Sequence, residues 1–271
     1  MEVVSIKLPL NPFLICPLGD IQAGTPSSDL DLLDKCVTKA LAAGAMFIGM
    51  GDYVDVGSPS NRKAWKASAF YDSIYFTMDE AVKKIEDDLY KILAPTKGKW
   101  LGMLSGHHFW QYETGNTTDT NLCQRLGAKH LGDSAMVVVR FQDKNKHAAS
   151  CTIFAHHGAG SGTTLGAPLN KIERVIEWAE ADLYLMGHQH KRVAANVPRF
   201  YVNSKDKLVA RERLVVGTGS FLKGYMQGSE MGGRKQGTYV EKGMMRPVSL
   251  GNPLIMVYPS REGLVSFDAI T

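Results

Sequence analysis

Five short segments of this 271-residue chain end in residue types that bind metal ions. They are Gly19-Asp20-Ile21-Gln22, Gly51-Asp52-Tyr53-Val54-Asp55, Gly106-His107-His108, His156-His157-Gly158 and Gly187-His188-Gln189-His190. Six of the eight histidines fall in the last three segments, leaving only His130 and His147 elsewhere. Carboxylates combined with imidazoles suit borderline divalent ions rather than calcium, which takes mostly oxygen ligands. Two such ions about 3.5–4 Å apart clamp a phosphate and lower the pKa of a water between them, which then acts as the nucleophile. A histidine nearby that binds no metal protonates the leaving alkoxide or steadies the crowded anion. The chemistry these residue types point to is hydrolysis of a phosphate ester.

Taken singly the segments say much less. Asp20 or Asp52 alone reads as a cap or a turn former, and a lone histidine needs no metal. What joins the segments is their position: each follows an apolar run, at residues 13–18, 45–50, 100–104, 151–155 and 183–186. Such a run closed by glycine reads as a buried strand ending in a tight loop. Loops at the carboxyl ends of parallel strands share one edge of a sheet, so five of them can build a single site.

Helical periodicity supplies the crossovers between these strands. Leu30, Leu33, Val37, Ala40 and Leu41 place a helix over residues 29–43, with Ser28 as its cap and Gly44 as its stop. Residues 62–93 are long enough for two helices, with Val82, Ile85, Leu89 and Ile92 on one face and Pro95 closing the run. A short helix fits 117–126, a hairpin fits 135–141 and 150–155 around a turn at 143–147, and a helix fits 169–180. Beyond His190 only short strands are expected, at 200–202, 207–216, 238–240, 254–258 and 264–267. The expected fold is α/β: two mixed β-sheets packed face to face and flanked by helices, in one domain over residues 1–271.

Composition agrees with a folded protein, since 44% of residues are hydrophobic and 21% charged, which excludes a largely disordered chain. Cys16, Cys36, Cys123 and Cys151 form no CxxC pair, so neither a zinc knuckle nor a disulfide framework is expected. Residues 1–10 hold no long apolar stretch, which points away from a signal peptide or membrane helix and towards the cytoplasm. Between Lys191 and Arg246 twelve basic residues face four acidic ones, while the rest of the chain is slightly acidic. That polarity suits either an anionic partner or a solvated surface with no partner.

With these motifs in view, the chain resembles the calcineurin-like metallophosphoesterases, whose ordered motifs are DxH, GDxxD, GNH with Asp or Glu, H, and GHxH. The resemblance spans about residues 14–190 through Asp20/Gln22, Asp52/Asp55, His107/His108, His156 and His188/His190. It implies an α/β/β/α sandwich holding two divalent ions, with manganese first and zinc, iron, nickel or magnesium as alternatives. It places Asp20 and His190 on the first ion, Asp52 between the two, and His107, His156 and His188 on the second. His108 takes the place of the catalytic histidine. His156 is preferred to His157 because the family's ligand directly follows its strand. Gln22 stands where the family has histidine, which weakens the first site to a neutral amide oxygen or no ligand. His107 stands where the family has asparagine, which favours zinc or manganese over magnesium. Val56 replaces the arginine that follows the same segment in protein phosphatases.

Three readings follow. The first is a phosphodiesterase acting on DNA, RNA or a nucleotide, with Lys223, Arg234 and Lys235 lining a phosphate path. Trp65, Phe70, Tyr71, Tyr75, Trp110 and Tyr112 would stack on bases, although aromatics on a long helix also serve as core. The second is a phosphomonoesterase for a small metabolite or phosphoprotein. The third is a binding or assembly module built on a degenerate metal site. The Gly-rich stretch 224–237 is read as a lid over the site, and no membrane partner is expected.

Overall fold

Alternation of apolar strands with amphipathic helices builds the first two thirds of the chain. The computed structural model describes residues 1–271 except 58, 69, 70, 161, 163, 165, 204, 205 and 232. Phe70, one of the aromatics considered for stacking, lies outside the described residues. Strands β1 (Glu2–Pro9) and β2 (Phe13–Leu18) come first, followed by helix α1 (Leu30–Ala42) and β3 (Met46–Gly49). Helices α2 (Pro59–Ala67) and α3 (Asp72–Leu93) lead into β4 (Trp100–Met103). Helix α4 (Thr118–Leu126) precedes the hairpin of β5 (Ser134–Gln142) and β6 (Ala148–His156), and α5 (Ala167–Val175) precedes β7 (Leu183–Met186). Then come β8 (Arg192–Asn196), the ribbon β9 (Arg199–Val202) and β10 (Leu208–Arg211), and β11 (Leu214–Thr218). A second ribbon, β12 (Glu230–Met231) with β13 (Arg234–Lys235), and helix α6 (Tyr239–Lys242) precede β14 (Leu254–Pro259) and β15 (Val265–Ile270).

Two large sheets result. One runs β1-β5-β6-β7-β11-β8 and the other β15-β14-β2-β3-β4. Ile15, Ile48 and Leu101 of the second meet Val137, Ile153 and Leu185 of the first in one apolar layer. Leu33, Val37, Val82, Leu89 and Leu122, from α1, α3 and α4, cover the outer side of the second sheet against Phe47 and Met103. Ile172 and Val175 of α5 cover the first against Phe154 and Tyr184. The order of layers is therefore helix, sheet, sheet, helix, as the apolar runs require when both faces of a parallel sheet are buried.

The direction of the strands matters most for the site. Strands β2, β3 and β4 are parallel, as are β6, β7 and β11. All five metal-ligand segments therefore leave the carboxyl ends of parallel strands.

Several boundaries differ from the sequence expectation. Helix α1 is capped by Asp29, which accepts from the Leu32 amide at 3.1 Å, while Ser28 donates instead to the Ile21 carbonyl at 2.7 Å. Helix α5 ends at Val175, well before residue 180. The expected strand over 207–216 breaks into β10 and β11, and the break leaves Arg213 buried in an ion pair with Glu180. Residues 239–240 open α6 rather than forming a strand. β1 and β8, which no apolar run announced, extend the first sheet at its two edges. Among the described residues, no helix is long and apolar enough to cross a membrane.

Candidate metal centre

The strand-end loops bring ligand-type side chains of both sheets together. Ligand atoms of Asp20, Asp52 and His157 lie within 4.8 Å of one another, and so do those of His107, His157 and His188. Asp20 and Asp52 are fully buried and His157 is 2% exposed. Each carboxylate is tied by one oxygen to the backbone of another strand's loop. Asp20 Oδ2 accepts from the His188 amide at 2.8 Å, and Asp52 Oδ1 accepts from the His108 amide at 2.8 Å. The other oxygens, Asp20 Oδ1 and Asp52 Oδ2, make no well-formed hydrogen bond and face only imidazole nitrogens of the same cluster, His190 Nε2 at 3.4 Å and His157 Nε2 at 3.3 Å. Buried acceptors left unpaired in this way are costly unless a cation faces them. The orphaned atoms and the mixed carboxylate-imidazole donor set fit a borderline divalent ion.

Backbone conformation tells the same story. Asp20, Gln22, Asp52, His188 and His190 all have positive φ, between 47° and 64°. A left-handed backbone is uncommon outside glycine, and clusters of it occur where function demands a fixed direction. The loops also pack too closely for side chains at their turns. A Cβ on Gly106 would fall 2.0 Å from the Asp52 amide nitrogen, so only glycine lets the third loop pass the second.

At the fourth segment the geometry differs from the sequence expectation. Strand β6 runs to His156, one residue further than its apolar run suggested, and His156 pairs with Met186 in the sheet. The residue directly after the strand is therefore His157. His156 lies on the same side of β6 as Phe154, with ring centroids 6.4 Å apart, and its Nδ1 accepts from the Gly158 amide at 2.7 Å. It belongs to neither group of ligand-type atoms. His157 turns the opposite way and donates from Nδ1 to the Met50 carbonyl at 2.6 Å. That bond fixes the ring and leaves Nε2 as the free ligand atom.

The other sequence-selected residues divide clearly. His107 and His188 meet, with Nδ1 atoms 3.3 Å apart. His190 Nε2 lies 3.4 Å from Asp20 Oδ1 and 3.4 Å from the Gln22 amide nitrogen, so both residues stand on the Asp20 side. His108 lies outside the ligand groups, with Nδ1 3.1 Å from Asp55 Oδ2. A cavity of about 710 Å³ opens onto Gln22, Asp52, Asp55, His108, His188 and His190. Lys223, Arg234 and Lys235 do not line it. Lys223 is held by Asp29 at 3.0 Å, and Arg234 and Lys235 sit exposed on the β12–β13 ribbon. Part of the basic surplus is likewise matched by acids, since Arg199 and Arg213 pair with Glu180 and Arg211 pairs with Asp182. Trp65, Tyr75, Trp110 and Tyr112 line a separate cavity, and Tyr71 is exposed.

Two residues were missed from sequence. Asp119 in the first turn of α4 is fully buried, accepts from the Gly106 amide at 3.1 Å, and is pushed up to about 7 by burial and by the Asp52 charge. Arg62 of α2 donates to the carbonyls of His107 and Phe109 and lies 4.7 Å over the Phe109 ring. Neither sits in a motif, so only the fold could reveal that they brace the third loop.

Electrostatics separates the histidines by role. Burial lowers His107 and His188, and the neighbouring His157 lowers them further, which favours the neutral form that a metal ion would need. Burial also opposes a charge on His108, but its contact with Asp55 and the charges of Asp52 and Asp55 raise it above the ordinary imidazole value. His157 follows the same pattern: burial pulls it down, while Asp52 and then Asp20 hold its proton more strongly. Burial pushes Asp52 up, but His157 and His108 reverse that and hold it ionised.

No protein-family model matches the chain, and no curated protein matches it. Solved structures similar to it include a conserved uncharacterised protein from Streptococcus pneumoniae TIGR4, described as a predicted phosphoesterase. The likeness is 11% identity, 96% of this chain, 98% of that chain and a TM-score of 0.34. Another is Vps29 from Entamoeba histolytica in complex with zinc, at 11% identity, 95% and 98% coverage and a TM-score of 0.35. At these scores the likeness adds nothing to what the site's own geometry says.

Two outcomes are expected. His157→Ala lowers manganese affinity by more than about a hundredfold, beyond the roughly 10–100-fold produced by losing a group that only orients a ligand. His156→Ala leaves affinity within about twofold; equilibrium dialysis of both variants checks this. Because His157 carries a proton up to about pH 9 in the metal-free chain, an ion must displace it. Affinity therefore rises with pH by about tenfold per unit and levels off above that value, and calorimetry near neutral pH in buffers of different ionisation enthalpy reads about one proton released per chain.

Proposed function

We propose that this chain is a metal-dependent phosphoesterase of the calcineurin-like kind, acting on phosphodiesters. The observation that carries the reading is the buried convergence of Asp20, Asp52 and His157, whose facing atoms meet only other ligand-type atoms of the same cluster. Asp20, Asp52, Gln22 and His190 would hold one ion, and Asp52, His107, His157 and His188 the other. When bound, divalent ions supply Lewis-acid polarisation of the phosphoryl group and a lowered pKa for water.

The chain's own residues do the rest. The Asp20 and Asp52 bonds to the backbone of facing loops aim their remaining oxygens inward before any ion binds. His108 borders the cavity, and Asp55 holds its Nδ1 side, which leaves Nε2 to deliver a proton to the leaving alkoxide. The raised proton affinity of His108 increases the share of it that carries this proton.

A diester is favoured over a monoester by charge. Among the described residues, no lysine or arginine lines the cavity in front of the metal centre. A monoester dianion is best held by a cationic fork at that position, whereas a diester brings a single negative charge. Arg62, the nearest arginine to the third loop, has its guanidinium committed to backbone carbonyls. A substrate related to a nucleic acid or nucleotide fits this reading, with manganese as the first ion to supply.

With manganese present, bis-p-nitrophenyl phosphate is hydrolysed with a kcat/KM at least tenfold above that of p-nitrophenyl phosphate, and chelator abolishes both. His108→Ala lowers kcat by about 10²–10⁴-fold while leaving metal content unchanged. A preference for the monoester, or full turnover by His108→Ala, contradicts the assignment.

A further inference from the structure

One excursion of the chain lines two cavities that share His188 and His190. It spans residues 222–250 and is pinched at its base, where Ser220 and Gly251 exchange backbone hydrogen bonds of 3.2 and 2.8 Å. Its first half, through Met226, Ser229 and Gln236, covers the cavity of about 710 Å³ already described. Its second half, through Val240, Met244, Met245 and Arg246, covers another of about 390 Å³. His188, His190 and Leu222 line both, so the two imidazoles form part of the wall between them.

The cavities differ in charge. The larger holds Asp55 and Glu230 and, among the described residues, no lysine or arginine. The smaller holds Lys191 and Arg246 and, among the described residues, no aspartate or glutamate. Lys191 is buried, and its Nζ donates to the carbonyls of Gly162, at 2.6 Å, and Thr164. An ammonium carries three donors, one more than these two carbonyls take. Arg246 makes no ion pair among the described residues. Two cations gathered in a partly apolar cavity repel each other, and an anion entering it relieves both.

We propose that the substrate straddles the imidazole wall with two unequal arms: an uncharged arm, such as a nucleoside, in the larger cavity and an arm bearing a further phosphate beside Lys191 and Arg246. The proposal rests on the diesterase reading for what happens between the arms, but the placement of the arms is a matter of binding alone. The carboxylates of the larger cavity repel a second phosphate on that side, which makes the arrangement one-way. An oligonucleotide end and a nucleoside polyphosphate share this chemistry.

The test uses three thymidine dinucleotides, TpT, pTpT and TpTp, which differ only in a terminal phosphate and its side. Their binding to the chain is measured by calorimetry with chelator present, and their hydrolysis is followed separately with manganese. We expect pTpT or TpTp to bind at least tenfold more tightly than TpT, and Arg246→Glu to erase that gain. Arg246→Gln, which keeps the length of the side chain without its charge, should also lose most of it. Equal binding of all three, an equal gain for pTpT and TpTp, or a gain that survives Arg246→Glu, overturns the proposal. A selective gain in binding without hydrolysis of any dinucleotide or of bis-p-nitrophenyl phosphate removes the diesterase reading and supports the placement of the arms. Hydrolysis without any terminal-phosphate preference, in binding or in kcat/KM, does the reverse.

Discussion

Each buried carboxylate at the metal centre gives one oxygen to the backbone of another strand's loop and keeps the other for the centre. Asp20 reaches the loop after β7 through the His188 amide, and Asp52 reaches the loop after β4 through the His108 amide. The first of these bonds joins the two sheets. Because the acceptor is a charged carboxylate and the site is buried, such bonds are worth about twice a neutral one. Left-handed backbone accompanies them at Asp20, Asp52 and His188, a conformation these residues would not choose alone. The close approach of the third loop to the second, which only Gly106 permits, lies beside the Asp52 contact.

Around that constraint the histidines take different roles from their surroundings. His157 is oriented by the Met50 carbonyl and His108 by Asp55, while His107 and His188 face each other and favour the neutral form. Asp119 and Arg62 act one step further out, fixing the amide of Gly106 and the carbonyls of His107 and Phe109. The excursion over residues 222–250 lines both cavities beside the candidate centre. Its two halves enclose spaces of opposite charge that share His188 and His190.

Much of this arrangement was legible in the sequence, because apolar strand runs and the Gly-Asp and Gly-His turns that end them are local signals. The layering of sheets and helices, the parallel direction of the five strands, and the meeting of Asp20, Asp52, His107, His188 and His190 follow from that pattern. The choice between His156 and His157 was not legible, since it turns on whether β6 stops at residue 155 or 156. One residue of register reverses the face on which a side chain lies. Lys223, Arg234 and Lys235 looked like a phosphate path from charge alone, yet the fold pairs the first with Asp29 and leaves the others outside the cavity. Arg62, Asp119 and Arg246 sit in no motif, and only tertiary packing brings them to the third loop or to the second cavity.

Asp20, Asp52 and His157, at the shared edge of two sheets, are placed to grip divalent cations. Crystals grown with excess manganese and measured at its absorption edge test this most directly. Two anomalous peaks are predicted, one touching Asp20 and the other His157, with Asp52 reaching both and His156 reaching neither. No peak among these side chains, or one coordinated by His156 in place of His157, would contradict it.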